Sequence, residues 1–148
     1  MNRRHGYLLV LGTARDPVGM DRYHNQLPPI YAEHKGYRLV VGSPGDGATF
    51  LDGGLDNLSM MLARFPSPEC ISDFWWSDEY RKAYIHRKDA GRFSAVGLPG
   101  LDQEPDPMPG RRGFLVAMAT PASPGGWRRF ADPVSYTHLR AHETDSYL

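Results

Sequence analysis

Gly6–Arg22 reads GYLLVLGTARDPVGMDR, and the chain begins to write this stretch again at Gly113–Arg129, GFLVAMATPASPGGWRR. At an offset of 107 residues, from 6 to 113, Gly6, Leu8, Thr13, Pro17, Gly19 and Arg22 meet Gly113, Leu115, Thr120, Pro124, Gly126 and Arg129. Tyr7 meets Phe114, Leu11 meets Met118 and Tyr23 meets Phe130. Background residue usage supplies roughly one identity in so short a window. The offset exceeds a solenoid repeat of about 20–50 residues and matches a small domain. The expected organisation is one whole domain at 6–100, a linker at 101–112, and the start of a second copy, cut short, at 113–133.

Outward from that stretch, Tyr7–Thr13 is a short unbroken apolar run ending at Asp16-Pro17, which predicts a buried strand. Asp16 suits an N-cap and Pro17 the first helical position. Met20, Tyr23, Leu27, Ile30 and His34 then recur at helical spacing and form one stripe that can lie on a sheet. Pro28 and Pro29 are expected to kink or split this helix, and Gly36 to end it. Tyr37–Val41 is the second strand. The turn-rich Gly42–Gly47 bends it, and Ala48–Leu51 can continue it. Leu58–Phe65 is apolar enough to be a central strand.

Ser67-Pro68 starts another helix, with Ile71, Phe74 and Trp75 on its buried side. Ser77 caps a further segment, Asp78–His86, in which Tyr80, Tyr84 and Arg87 share a face. Gly91 stops it and Arg92–Val96 is the last strand. Both crossovers hold helices, so the outer strands are expected to run parallel to their partners. The order βαββαβ is the split βαβ, ferredoxin-like α+β pattern, with both helices on one sheet face. The other face is apolar and calls for a partner.

The composition narrows the classes of function. The 148 residues carry 17 basic and 17 acidic side chains, which argues against binding nucleic acid through a field of phosphate contacts. Cys70 is the sole cysteine, so neither an internal disulfide nor a thiolate metal cluster is available. The apolar run after Arg3-Arg4 is too short to span a membrane and has no signal-cleavage pattern. The expectation is a cytoplasmic protein without membrane, nucleic acid, metal or cofactor.

Residues 6–100 resemble the family known as domain of unknown function 1330, of the dimeric α+β barrel type. The resemblance rests on Asp16 after the first strand, Tyr23, Glu33-His34-Lys35-Gly36, the Asp52-Gly53 turn, Trp75-Trp76-Ser77-Asp78-Glu79-Tyr80, and Arg87. Only Gly36 stands where the family usually shows two glycines, Asp-Gly replaces a frequent Glu-Gly, and the bend at 42–47 is inserted. The resemblance implies a fold and self-association, as a homodimer or an internal pseudo-dimer, but no settled reaction. Val134–Leu148 resembles a translated sequencing adapter and is expected to be a non-native tail.

Each candidate site has a plainer reading beside it. His34 can be a base near neutral pH, or a partly buried histidine bonded to a carbonyl; His24 lies on the same helix. Tyr23, Tyr80 and Arg87 can bind a carboxylate or an enolate-like oxygen, or simply pack and close helix ends. His138 and His142 are too few to hold a metal. Gly42–Gly47 lacks the Lys-Ser/Thr of a phosphate loop and is a turn. Cys70 has apolar neighbours and is expected to be inert. Trp75-Trp76 should place one ring inside and one outside, the outer one able to anchor an interface. The reading is a domain that binds a small molecule between sheet and helices with Tyr23, His34, Arg38, Tyr80 and Arg87 as its polar set. The alternatives are a cofactor-free, isomerase- or monooxygenase-like enzyme and a non-catalytic dimerisation or assembly module.

Overall fold

The computed structural model describes residues 4–102 and 113–119. The chain divides into two units, residues 1–110 and 111–148. The first unit runs β1 (Gly6–Ala14), α1 (Pro17–Glu33), β2 (Tyr37–Pro44), β3 (Gly47–Ala48), β4 (Ser59–Phe65), α2 (Pro68–Trp76), α3 (Asp78–Lys88) and β5 (Gly91–Pro99). The sheet order is β3-β2-β4-β1-β5. Leaving out the two-residue β3, this is the ferredoxin-like βαββαβ arrangement.

The expected parallel pairing is corrected in one respect. All neighbours among the four long strands are antiparallel: β2 with β4, β4 with β1, and β1 with β5. β1 and β2 share a direction, as do β4 and β5, but each pair is separated by another strand. The crossover helix sets direction, and the inserted strand takes the hydrogen bonds.

α1 begins as its sequence requires. Asp16 is the N-cap, its Oδ1 accepting the Val18 N–H at 3.0 Å, and Pro17 follows at a position where an N–H is not needed. Pro28 and Pro29 do not split the helix, which runs unbroken for 17 residues. Both prolines and the two residues whose carbonyls lose donors, His24 and Asn25, lie on the exposed side. Water can satisfy those carbonyls while Leu27, Ile30 and Tyr31 hold the buried side.

The end of α1 also differs from expectation, because the left-handed residue is Lys35, at φ 53°, and not Gly36. The Gly36 N–H donates to Tyr31 O at 2.9 Å and the Lys35 N–H to Ala32 O at 3.2 Å, a Schellman ending. Gly36 is needed for space: a Cβ there would stand 2.3 Å from the Phe65 ring. The continuation expected over Ala48–Leu51 is limited to Gly47–Ala48, which pairs parallel with Ser43–Pro44. Gly45 and Gly47, both at positive φ, turn the chain back there.

The core lies between the helices and one sheet face. It joins Leu8, Val10, Ala63 and Phe65 of the sheet to Tyr23, Leu27, Ile30, Tyr31, Ile71, Phe74, Tyr80 and Ala83 of the helices. Rings run continuously through it, with centroids 5.1 Å apart for Phe65–Phe74, 4.7 Å for Tyr31–Phe74 and 4.6 Å for Phe74–Tyr80. Residues directly opposite across antiparallel strands share a face. Leu9 therefore sits with Leu62 and Val96, Leu11 with Met60, and Tyr7 with Arg64 and Leu98 on the helix-free face. Val96 and Leu98 there are 44% and 45% exposed.

In the second unit the strand expected at Gly113–Thr120 is not formed over its described part, residues 113–119. Phe114, Leu115 and Met118 are exposed. A strand forms only where a neighbour supplies a ladder to join. Most of the expected linker, residues 103–112, the rest of the expected second copy, 120–133, and the tail, 134–148, lie outside the described residues.

Candidate functional site

Three of the five expected polar residues come together. Ser77 Oγ accepts the Tyr80 N–H at 3.2 Å and starts α3. The helical spacing of Tyr80, Ala83 and Arg87 then turns all three inward. The Tyr80 and Tyr23 hydroxyls meet at 3.1 Å in a buried hydrogen bond between α3 and α1. Burial raises the phenol pKa of Tyr80 well above its ordinary value, and the neighbouring Tyr23 adds to the effect. Burial does the same to Tyr31. Both phenols are therefore neutral at neutral pH and serve as hydrogen-bonding groups rather than bases.

Arg87 is the distinctive group of the cluster. It stands in the last turn of α3, where the negative end of the helix dipole favours a cation, yet it is only 4% exposed. Its Cζ lies 5.2 Å from the ring centroids of Trp75, Tyr84 and Phe93 and 5.7 Å from that of Tyr23. These rings come from α2, α3, β5 and α1. Arg87 Nε and Nη1 are buried without a hydrogen-bond partner. Among the described residues no carboxylate lies within salt-bridge distance of it. A guanidinium stays charged under all ordinary conditions, so a buried cation stands here among four aromatic rings with two of its nitrogens unpaired.

The sequence reading missed Phe93 as a member of this cage. Phe93 pairs with Gly12 across β1 and β5, and a Cβ on Gly12 would stand 2.3 Å from Phe93 Cδ1. The missing side chain in β1 is what lets the Phe93 ring lie where it does. The signal in the sequence is a glycine inside an otherwise apolar strand, which marks a close approach. Trp75 and Trp76 divide as expected, Trp75 half-buried against Tyr80 and Trp76 69% exposed.

His34 and Arg38 do not join the cluster. His34 caps α1, half-buried, with its ring edge-on to Phe74 at 5.8 Å. Arg38 is exposed on β2. The charge of Arg38 reaches His24, whose pKa is lowered first by lost hydration beside the Tyr23 ring and second by Arg38, with Asp21 opposing.

A separate open groove of about 600 Å³ is lined by Arg4, Ser67, Pro68, Glu69 and Pro99. It lies at the opposite end of β5 from Phe93. Arg4 is engaged there with Asp102, Nη2 to Oδ2 at 2.6 Å. Ser67 heads α2, but its hydroxyl points to Cys70 Sγ at 3.5 Å and makes no cap. Among the described residues no three His, Cys, Asp or Glu side chains gather as a metal site. No helix among them is long and apolar enough to cross a membrane.

Known structures with this arrangement include a protein of unknown function from Rhodopseudomonas palustris. It is 20% identical, covers 67% of this chain and 84% of its own, and superposes with a TM-score of 0.52. The methylated form of that protein gives 19% identity, 74% and 85% coverage and a TM-score of 0.53. A dimeric protein of unknown function and ferredoxin-like fold from Bacteroides fragilis is 13% identical, with 64% and 95% coverage and a TM-score of 0.43. At these identities the first two likenesses speak for the fold alone. No curated protein matches the chain. The model of one family spans residues 5–101, covering every strand and helix of the first unit. The chain belongs to that family, Domain of unknown function (DUF1330).

Proposed function

We propose that the domain binds a small molecule between its sheet and its helices, at the cluster of Tyr23, Tyr80 and Arg87. The observation that carries this reading is the pair of buried, unpartnered donors on Arg87. A fold that only needed to fill this space would be better served by an apolar side chain. His34 and Arg38 are left out of the binding set, since one sets its ring edge-on to Phe74 and the other is exposed. An isomerase- or monooxygenase-like reaction has less support, because such chemistry needs a base at the cluster and burial keeps the Tyr80 phenol protonated.

The test is a fragment screen on the whole chain, read by tryptophan fluorescence. Trp75 lies 5.2 Å from Arg87 and reports directly, and the difference between wild type and Trp75→Phe isolates its signal. Fragments that compete with one another for the Trp75 signal are expected. A chemically diverse set that leaves the signal untouched would count against the site.

A second reading concerns assembly and stands beside the first. The helix-free face carries exposed Val96 and Leu98 and half-buried Met60 and Leu62 beside Leu9 and Leu11, which are themselves buried, an apolar surface suited to a second sheet of the same kind. We read the partner as a second copy of this domain in another chain. Val96→Glu with Leu98→Glu should convert a self-associated chain to monomer in sedimentation while the circular dichroism of the fold is kept. A wild-type chain that is monomeric at every accessible concentration would remove this reading.

A further inference from the structure

The cluster also indicates what kind of molecule it takes, and this step rests on the small-molecule reading above. We infer that the ligand is a small planar monocarboxylate whose anion pairs with Arg87 and whose flat body lies among Tyr23, Trp75, Tyr84 and Phe93.

The sign of the charge comes first. A buried cation is stable only when matched by an anion and hydrogen-bonded. Arg87 Nε and Nη1 have no partner, and among the described residues no carboxylate reaches them. The guanidinium is a planar fork suited to the two oxygens of a carboxylate. A second guanidinium stands nearby: Arg81 lies over the Tyr84 ring at 4.3 Å, while Arg87 lies 5.2 Å from the same ring. The two guanidinium groups share one ring, and neither lies within salt-bridge distance of an acid among the described residues.

The size of the charge follows from the helix. Phosphate sites draw on helix N-termini and clustered backbone N–H groups. Arg87 instead stands at the C-terminal turn of α3, whose dipole is negative. Aromatic walls around it make a dianion costly to desolvate. A monoanion with a delocalised charge fits this surrounding better than a phosphate does.

The shape follows from the walls. Trp75, Tyr84 and Phe93, each 5.2 Å from Arg87 Cζ, are only half-buried. Movement of Tyr84 or Trp75 would admit a ligand, and their faces would then stack on a flat one. The Tyr23 and Tyr80 hydroxyls, now bonded to each other, can turn one O–H toward a carboxylate oxygen.

The experiment uses the whole chain and three probes of one shape: benzoate, its neutral isostere benzamide, and the dianionic phenyl phosphate. Thermal unfolding and tryptophan fluorescence are followed together. Benzoate at tenfold its dissociation constant is expected to raise Tm by about 5 °C or more, with benzamide and phenyl phosphate each at least tenfold weaker. Arg87→Met, shown to be folded by circular dichroism, should lose the benzoate response. Benzamide binding as well as benzoate would overturn the charge inference and leave the small-molecule site standing. Phenyl phosphate binding more tightly would overturn the monocarboxylate class alone. An undiminished benzoate response in Arg87→Met would overturn the placement. Silence to all three probes, beside fragment hits at Trp75, would end this inference without touching the site. These comparisons among probes on wild type hold even if the variant does not fold.

Discussion

Replacing Arg87 by Met tests whether this residue is kept for stability or for binding. In the free protein two of its donors are buried without partners. Each such donor costs about 1–3 kcal/mol, or about 2–6 kcal/mol for the two. Against this stand four ring contacts at 5.2–5.7 Å. Those distances are near the outer limit of a cation–π contact, where each gives about 0.5 kcal/mol, or about 2 kcal/mol together. Met keeps most of the buried stem, removes both donors, and sets a thioether against the same rings for a further gain of about 0.3–1.5 kcal/mol. The expected result is a variant as stable as wild type or more stable, by up to about 5 kcal/mol, when no ligand is present. Urea unfolding monitored by tryptophan fluorescence and by circular dichroism measures this, provided the m-value is unchanged. Arg87→Ala cannot serve instead, because the cavity it leaves destabilises the core whatever the role of the charge. If Arg87→Met loses more than about 1 kcal/mol, the guanidinium is a structural member satisfied where it is, and the argument for a ligand at Arg87 fails.

Three further outcomes follow from the same packing. Tyr23→Phe and Tyr80→Phe should each cost about 1–2 kcal/mol, because each leaves the other hydroxyl of the 3.1 Å pair buried and unpaired. The double variant should cost no more than either single one, and additive losses in the cycle would show that the two hydroxyls do not depend on each other. Gly12→Ala would set a methyl 2.3 Å from both Phe93 Cδ1 and Arg92 O, so a loss of at least about 1–3 kcal/mol is expected, and an unaffected Tm would mean Phe93 is not held as described. Raised phenol pKa values at Tyr31 and Tyr80 mean that the folded protein holds these protons more tightly than the unfolded chain, whose phenols titrate at 10.0. Their contribution is complete below pH 10.0 and is lost as pH rises beyond it, at up to about 1.4 kcal/mol per pH unit for each phenol. Urea midpoints that stay level well above that pH would contradict the burial of these hydroxyls.

Much of the fold was legible residue by residue. Asp16-Pro17 and Ser77 announced two helix starts that the caps reproduce. The spacing of Met20, Tyr23, Leu27 and Ile30 marked the side of α1 that faces the sheet. Other features depended on surroundings the sequence does not display. Pro28 and Pro29 are harmless because they fall on the exposed side of a helix held from beneath. Gly36 is required by the Phe65 ring of a strand far along the chain. Ser67 occupies a cap position without acting as a cap, since its hydroxyl turns to Cys70. The echo at Gly113 concerns sequence alone; over its described residues it brings no strand, because a strand needs a neighbour's hydrogen bonds as well as its own apolar residues.

The candidate site divides in the same way. Tyr80, Tyr84 and Arg87 were placed together by spacing along one helix, and that grouping holds in the structure. Residue type alone adds Tyr23, His34 and Arg38 to that group. Of these only Tyr23 arrives: it faces α3 across the helix pair, whereas His34 lies at the far end of α1 against Phe74 and Arg38 is exposed on β2. Local hydrogen bonding and side-chain period are written within a few residues, so the amino-acid sequence by itself determined the order of strands and helices and the inward side of each. Which rings surround Arg87, and which of its donors stay unpaired, depends on strand order and on the β1–β5 register that sets Gly12 opposite Phe93. Those contacts join residues from four elements, and only the folded chain, minimising exposed apolar surface across all of them at once, decides them.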